Sequence, residues 1–109
     1  MKNLNFVYLL DFYGGILNDR QREVLTLYYN DDLSLAEIAE ITNISRQGVH
    51  DLIKRGEVKL TDAESALGLA ERFENIKETV YKIEDLIDKS SISNKKEISA
   101  LIEILKNQV

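Results

Sequence analysis

The sequence predicts an all-α protein, and three observations predict it. Among 109 residues there is no proline and there are only five glycines, so little interrupts a helix. Apolar residues recur three and four positions apart through most of the chain. Short polar residues followed three positions later by Glu or Gln stand at Asn18/Gln21, Ser34/Glu37, Thr61/Glu64 and Asn94/Glu97, the spacing of a capping box that opens a helix.

Taken in order, residues 4–17 predict a first helix with an apolar face through Leu4, Tyr8, Leu9, Phe12 and Ile16, weakened at its end by Gly14 and Gly15. Asn18 opens a second helix over 19–30, with Val24, Leu25 and Tyr28 at helical spacing. "NDD" at 30–32 is a turn, and Ser34 opens the short helix "LAEIAEI". "TNI" at 42–44 is the next turn, after which Ser45 caps a helix running to about Leu60. The Thr61/Glu64 pair predicts a fresh helix there, at a bend. Over 62–89, Ala66, Leu69, Phe73, Ile76, Val80, Ile83 and Ile87 form a heptad seam on a helix ~42 Å long at 1.5 Å per residue. "SSISN" at 90–94 is a loop, and the last helix presents Ile98, Leu101, Ile102 and Leu105. The reading divides the chain into a domain at 1–60 and a helical extension at 61–109.

Composition excludes several function classes. Cysteine is absent, so no disulfide or thiolate metal site exists, which fits a reducing cytoplasm. No segment approaches the ~20 apolar residues of a membrane span, and no basic leader with a cleavage site opens the chain. His50 is the single histidine and has no nucleophile or oriented partner in view. Asp31 and Asp32 read as a wet turn rather than a metal pair. No catalytic residue, metal, cofactor or small-molecule substrate is expected. Net charge is −5, with 7 basic and 9 acidic residues up to position 60 and 7 basic and 10 acidic after it. Neither half is basic, so affinity for phosphate has to come from a local patch or from doubling by dimerisation.

The stretch "ITNISRQGVHDLIKR" (41–55) has the layout of a helix-turn-helix. Ala39 is the small residue where two helices cross, and Asn43 tolerates the left-handed backbone that the turn needs. Ile44 plugs the turn. Val49, Leu52, Ile53, Gly56 and Leu60 share one side of the second helix, while Gln47, His50, Asp51, Lys54 and Val58 share the other.

Residues 17–60, with their "REVLTLYY", "EIAE" and "SRQGV" elements, resemble region four of bacterial sigma factors, which binds promoter DNA. More closely, "DFYGGILNDRQREVLTLYYNDDLSLAEIAE" followed by "SRQGVHDLIKR" resembles the YlxM family of small helix-turn-helix proteins, over residues 4–60. That resemblance implies a regulatory protein linked to the signal recognition particle (SRP) pathway. The family commonly carries Ala, Tyr and Asn where this chain has Gly48, His50 and Leu52.

The candidate contact residues are Arg46, Gln47, His50, Asp51, Lys54 and Arg55. Arg46 suits a phosphate or a guanine, and Gln47 an adenine edge; each is equally at home as a surface residue. Lys54, Arg55 and Lys59 suit phosphates, or simply a helix C-terminus. Asp51 opposes phosphate unless it accepts from a cytosine amine, or else pairs with Arg55 one turn on. The seam through Leu69, Phe73, Ile76, Val80, Ile83 and Ile87 suits a homodimer, or a fold back onto the last helix. The reading is a non-enzymatic, cytoplasmic regulator that binds DNA in the major groove or SRP components. The alternative is a sequence-specific dimeric transcription regulator unrelated to SRP.

Overall fold

In a computed structural model the chain is described over residues 2–3 and 5–108. Among the described residues it holds six α-helices and no strand: α1 Asn5–Tyr13, α2 Asp19–Leu25, α3 Leu35–Thr42, α4 Arg46–Leu67, α5 Leu69–Asp88 and α6 Lys95–Lys106. The all-α expectation holds. The helices fall into two compact units, Met1–Gly68 and Leu69–Val109.

In the first unit, α1 is shorter than predicted. It stops at Tyr13, and Gly14–Ile16 tighten into a 3-10 turn. Arg22 closes that turn, donating from Nε to the Gly14 carbonyl (3.1 Å) and from Nη2 to the Leu17 carbonyl (3.0 Å). The buried face of α1 is Leu9, Leu10 and Tyr13; of the predicted row Leu9 is buried, Tyr8 and Phe12 are half-buried and Ile16 is exposed, while Leu4 lies outside the described residues.

The Asn18/Gln21 box forms in both directions, Gln21 N–H donating to Asn18 Oδ1 (2.8 Å) and Asn18 N–H to Gln21 Oε1 (3.2 Å). Such a cap contributes about 1 kcal/mol. Gln21 is a buried polar side chain, and its Oε1 also accepts from Lys59 Nζ (3.1 Å), tying α2 to α4.

Beyond Leu25 the helix widens into a π turn over Thr26–Asn30, where Asp31 N–H reaches back to the Thr26 carbonyl (3.1 Å). Lys2 closes this end. Its Nζ donates to the carbonyls of Tyr28 and Leu33 (2.7 Å each), pairs with Asp32 (3.1 Å) and sits 4.0 Å from the Tyr28 ring centre. An ammonium at carbonyls left open by a helix end is electrostatically favourable.

The Thr61/Glu64 pair opens no helix. α4 runs unbroken from Arg46 to Leu67 because Leu60 is fully buried and Glu64 accepts a hydrogen bond from Tyr13 Oη (2.6 Å). The chain breaks at Gly68, which holds φ +61°, ψ +20°. Only glycine adopts that left-handed conformation without cost, which makes it a natural helix end. The long helix expected over 62–89 is therefore two pieces, and Ala66 belongs to α4 rather than to the seam.

In the second unit α5 packs on α6, with Val80 and Ile102 buried. Lys106 Nζ bridges the pair to Glu84 (3.3 Å). Asn94 precedes α6 but makes no side-chain cap, because its backbone (φ −102°, ψ +32°) is not extended as a capping residue requires.

Candidate nucleic-acid interface

The turn between α3 and α4 follows from three local choices. Ser34 and Glu37 cap the start of α3 reciprocally, at 3.1 and 3.0 Å. The Ser34 N–H donated to its carboxylate holds Glu37 below the ordinary glutamate pKa. Asn43 then takes φ +58°, ψ +33°, the left-handed turn expected of it. Ser45 starts α4, its Oγ accepting from Gly48 N–H (3.0 Å).

Packing fixes the direction α4 faces. Val49, Ile53, Gly56 and Leu60 are buried and Leu52 is half-buried, against Val24, Leu25 and Ile38, which are wholly buried. Gly56 lets α2 and α4 approach closely, since a Cβ there would collide with the Leu25 side chain. Gly48 has a similar role at the turn, where a Cβ would come 2.7 Å from Ile44 Cγ2.

The opposite face is the candidate interface. Arg46, Gln47, Asp51, Lys54 and Arg55 are exposed and His50 is half-exposed. Arg46 stands at the first turn of α4, and neither it nor Arg55 forms an ion pair among the described residues. Asp51 does not take Arg55. It accepts from Gln47 Nε2 (3.0 Å) and lies 3.7 Å from His50 Nδ1. That bond engages one of the two Nε2 hydrogens of Gln47. Lys54 lies 3.8 Å from Glu57, and Lys59 is turned away to Gln21.

Glu57 was not legible as part of this surface. It accepts a hydrogen bond from Tyr29 Oη, and burial followed by that bond pushes the Tyr29 phenol well above the ordinary tyrosine range. Glu57 also lines a shallow groove of about 350 Å³ with Phe6, Lys54, Val58, Thr61 and Asp62. Phe6 arrives there from α1, a pairing that helix periodicity within α4 does not reveal.

The residues of the heptad seam are placed unequally. Val80 is buried, Leu69, Phe73, Ile76 and Ile87 are half-buried, and Ile83 is exposed.

No helix among the described residues is long and apolar enough to cross a membrane. Residues 1–102 match the family model UPF0122, described as "Putative helix-turn-helix protein, YlxM / p13 like". The chain is similar to a UPF0122 protein of Clostridium kluyveri, 48% identical over 101 residues, 93% of this chain and 88% of that one. It is similar to the UPF0122 protein YlxM of Bacillus subtilis, 43% identical over 105 residues, 96% of this chain and 94% of that one. A UPF0122 protein of Halalkalibacterium halodurans is 43% identical over 104 residues, 95% of this chain and 94% of that one.

Proposed function

We propose, for a chain that belongs to the UPF0122 family of YlxM / p13-like helix-turn-helix proteins, a regulatory role exercised by binding rather than by catalysis. The α4 face enters the major groove of duplex DNA. The observation that carries this is the set of exposed cations Arg46 and Arg55, without an ion pair among the described residues, on a helix oriented by an Asn43 turn and a buried opposite face. Arg46 and Gln47 lie where base edges are reached, and Lys54 and Arg55 meet phosphates. The resemblance of residues 17–60 to sigma region four supports the same docking. Asp51 limits non-specific affinity, which suits a regulator that discriminates rather than coats DNA.

Work in the SRP pathway, in the cytoplasm, is proposed on the YlxM resemblance. Two copies pairing through their C-terminal helices present two α4 faces, which raises a modest single-site affinity by avidity. The test is a tagged pull-down from the native cytosol with and without nuclease, read by mass spectrometry. SRP components lost after DNase treatment support the proposal, whereas loss to RNase alone makes RNA the ligand in place of DNA. SRP components surviving nuclease point to protein contacts in place of DNA. Promoter DNA with RNA polymerase, and no SRP component, favours the transcription regulator unrelated to SRP.

A further inference from the structure

Two packed helices have two outer flanks, and in the second unit these differ sharply. At about 100° per residue, with Val80 turned inward, Tyr81 and Glu84 fall on one flank of α5 and Ile83 and Leu86 on the other. With Ile102 inward on α6, Lys106 falls on one flank and Leu101 and Leu105 on the other. The Lys106–Glu84 contact shows that the polar flanks of the two helices adjoin. The apolar flanks therefore adjoin too. Ile83, Leu86, Leu101 and Leu105 form one surface across both helices, exposed by 45, 70, 65 and 41%.

This surface shares Ile83 with the heptad seam but departs from it. Val80, at the seam's centre, is already buried, whereas Leu86, Leu101 and Leu105 lie outside it. We propose that this flank of the α5–α6 pair docks on the same flank of a second copy, closing a four-helix bundle around a two-fold axis. The inference deepens the dimer reading above by naming its surface, and it rests on that reading.

Three features select a second copy as the occupant. A half-exposed Leu or Ile leaves about 50–70 Å² of apolar side chain to water, so the four residues with half-buried Ile76 and Ile98 present roughly 300 Å². That is already the size of the largest patch on a typical monomer. With a polar rim in the usual ~60:40 proportion, two copies cover roughly 1,000 Å², the lower edge of specific interfaces. The rim is self-complementary, because Lys82 of α5 and Glu97 of α6 border the patch and neither has an ion pair among the described residues. Across a two-fold axis an opposite-charge pair made once is made twice. Finally, two helices alone make a thin layer, and pairing with an identical layer is the ordinary way such a hairpin gains a core.

The test is sedimentation of the full chain between ~1 and ~200 μM, the range in which an interface this small assembles. The mass is expected to rise from 12.5 kDa toward twice that value. Leu86→Glu with Leu101→Glu is expected to remain at the single-chain mass throughout, with an unchanged helical circular dichroism signal. Tyr81→Ser, on the opposite flank, is expected to leave the assembly intact. If the double variant loses helix, Leu86→Gln alone is read for at least a tenfold weaker association. A wild-type chain at 12.5 kDa at every concentration sinks both this surface and the dimer reading. A dimer that survives the double variant with its helix intact sinks this surface alone.

Discussion

Gly56→Ala isolates the close approach that orients the candidate interface. Two effects oppose each other. Alanine in a helix interior gains about 0.5–1 kcal/mol over glycine. The new Cβ, however, collides with Leu25 Cδ1 and lies 3.3 Å from Leu25 Cγ. Leu25 is wholly buried, so its side chain has no solvent to swing into. Overpacking a closed core costs about 1–3 kcal/mol, which exceeds the helical gain. The net expectation is a loss of about 1 kcal/mol, seen as a thermal midpoint lower by roughly 4–8 °C in a unit of this size. Thermal unfolding followed by circular dichroism measures it. A midpoint raised by the glycine-to-alanine change refutes the packing of α2 on α4 described here.

Other consequences follow from single positions. Gly68→Ala is expected to cost about 1 kcal/mol although no atom crowds the site, since its φ of +61° is the left-handed region. Gly68→Asn should cost less, and equal losses on denaturant unfolding argue against a conformational cause. Tyr29 has a raised folded-state pKa, so its stabilising contribution is whole below the unfolded tyrosine value of about 10 and is lost as pH climbs through the folded value. In absorbance titration at alkaline pH, Tyr29 should ionise late, with unfolding, and Tyr29→Phe should reduce the late-ionising signal. An unchanged late step in Tyr29→Phe contradicts the Glu57 contact. Asp51→Asn should tighten duplex binding about two- to fivefold, in keeping with a screened charge repulsion of up to ~1 kcal/mol in water. Unchanged anisotropy curves would show that Asp51 does not face the duplex.

The parts of the fold legible in sequence are those set by neighbours in the chain. The Asn18 and Ser34 boxes, the Asn43 turn and the two faces of α4 are each decided within a few residues. The same local signals mislead where a distant contact prevails. Thr61 and Glu64 have the spacing of a cap, but Glu64 is engaged by Tyr13, fifty-one positions away, and Leu60 is locked in the core. Asn94 and Glu97 have it too, without the extended backbone to use it. Gly68 is the true break, and only its positive φ separates it from a glycine tolerated inside a helix. In the candidate interface, the exposure of Gln47, Asp51 and Lys54 was readable from periodicity. The engagement of Asp51 by Gln47 rather than Arg55 was not, because both lie one turn away and spacing alone does not choose between them.

The central claim is that α4 meets duplex DNA through its exposed cations. The most direct measurement is the salt dependence of duplex affinity for the wild-type chain and for the Lys54→Ala, Arg55→Ala double variant, by fluorescence anisotropy. Each phosphate contact adds about −0.9 to the slope of log K against log salt, so the double variant should flatten the slope by about 2. Binding that is absent at low salt, or a slope that the double variant leaves unchanged, contradicts the account.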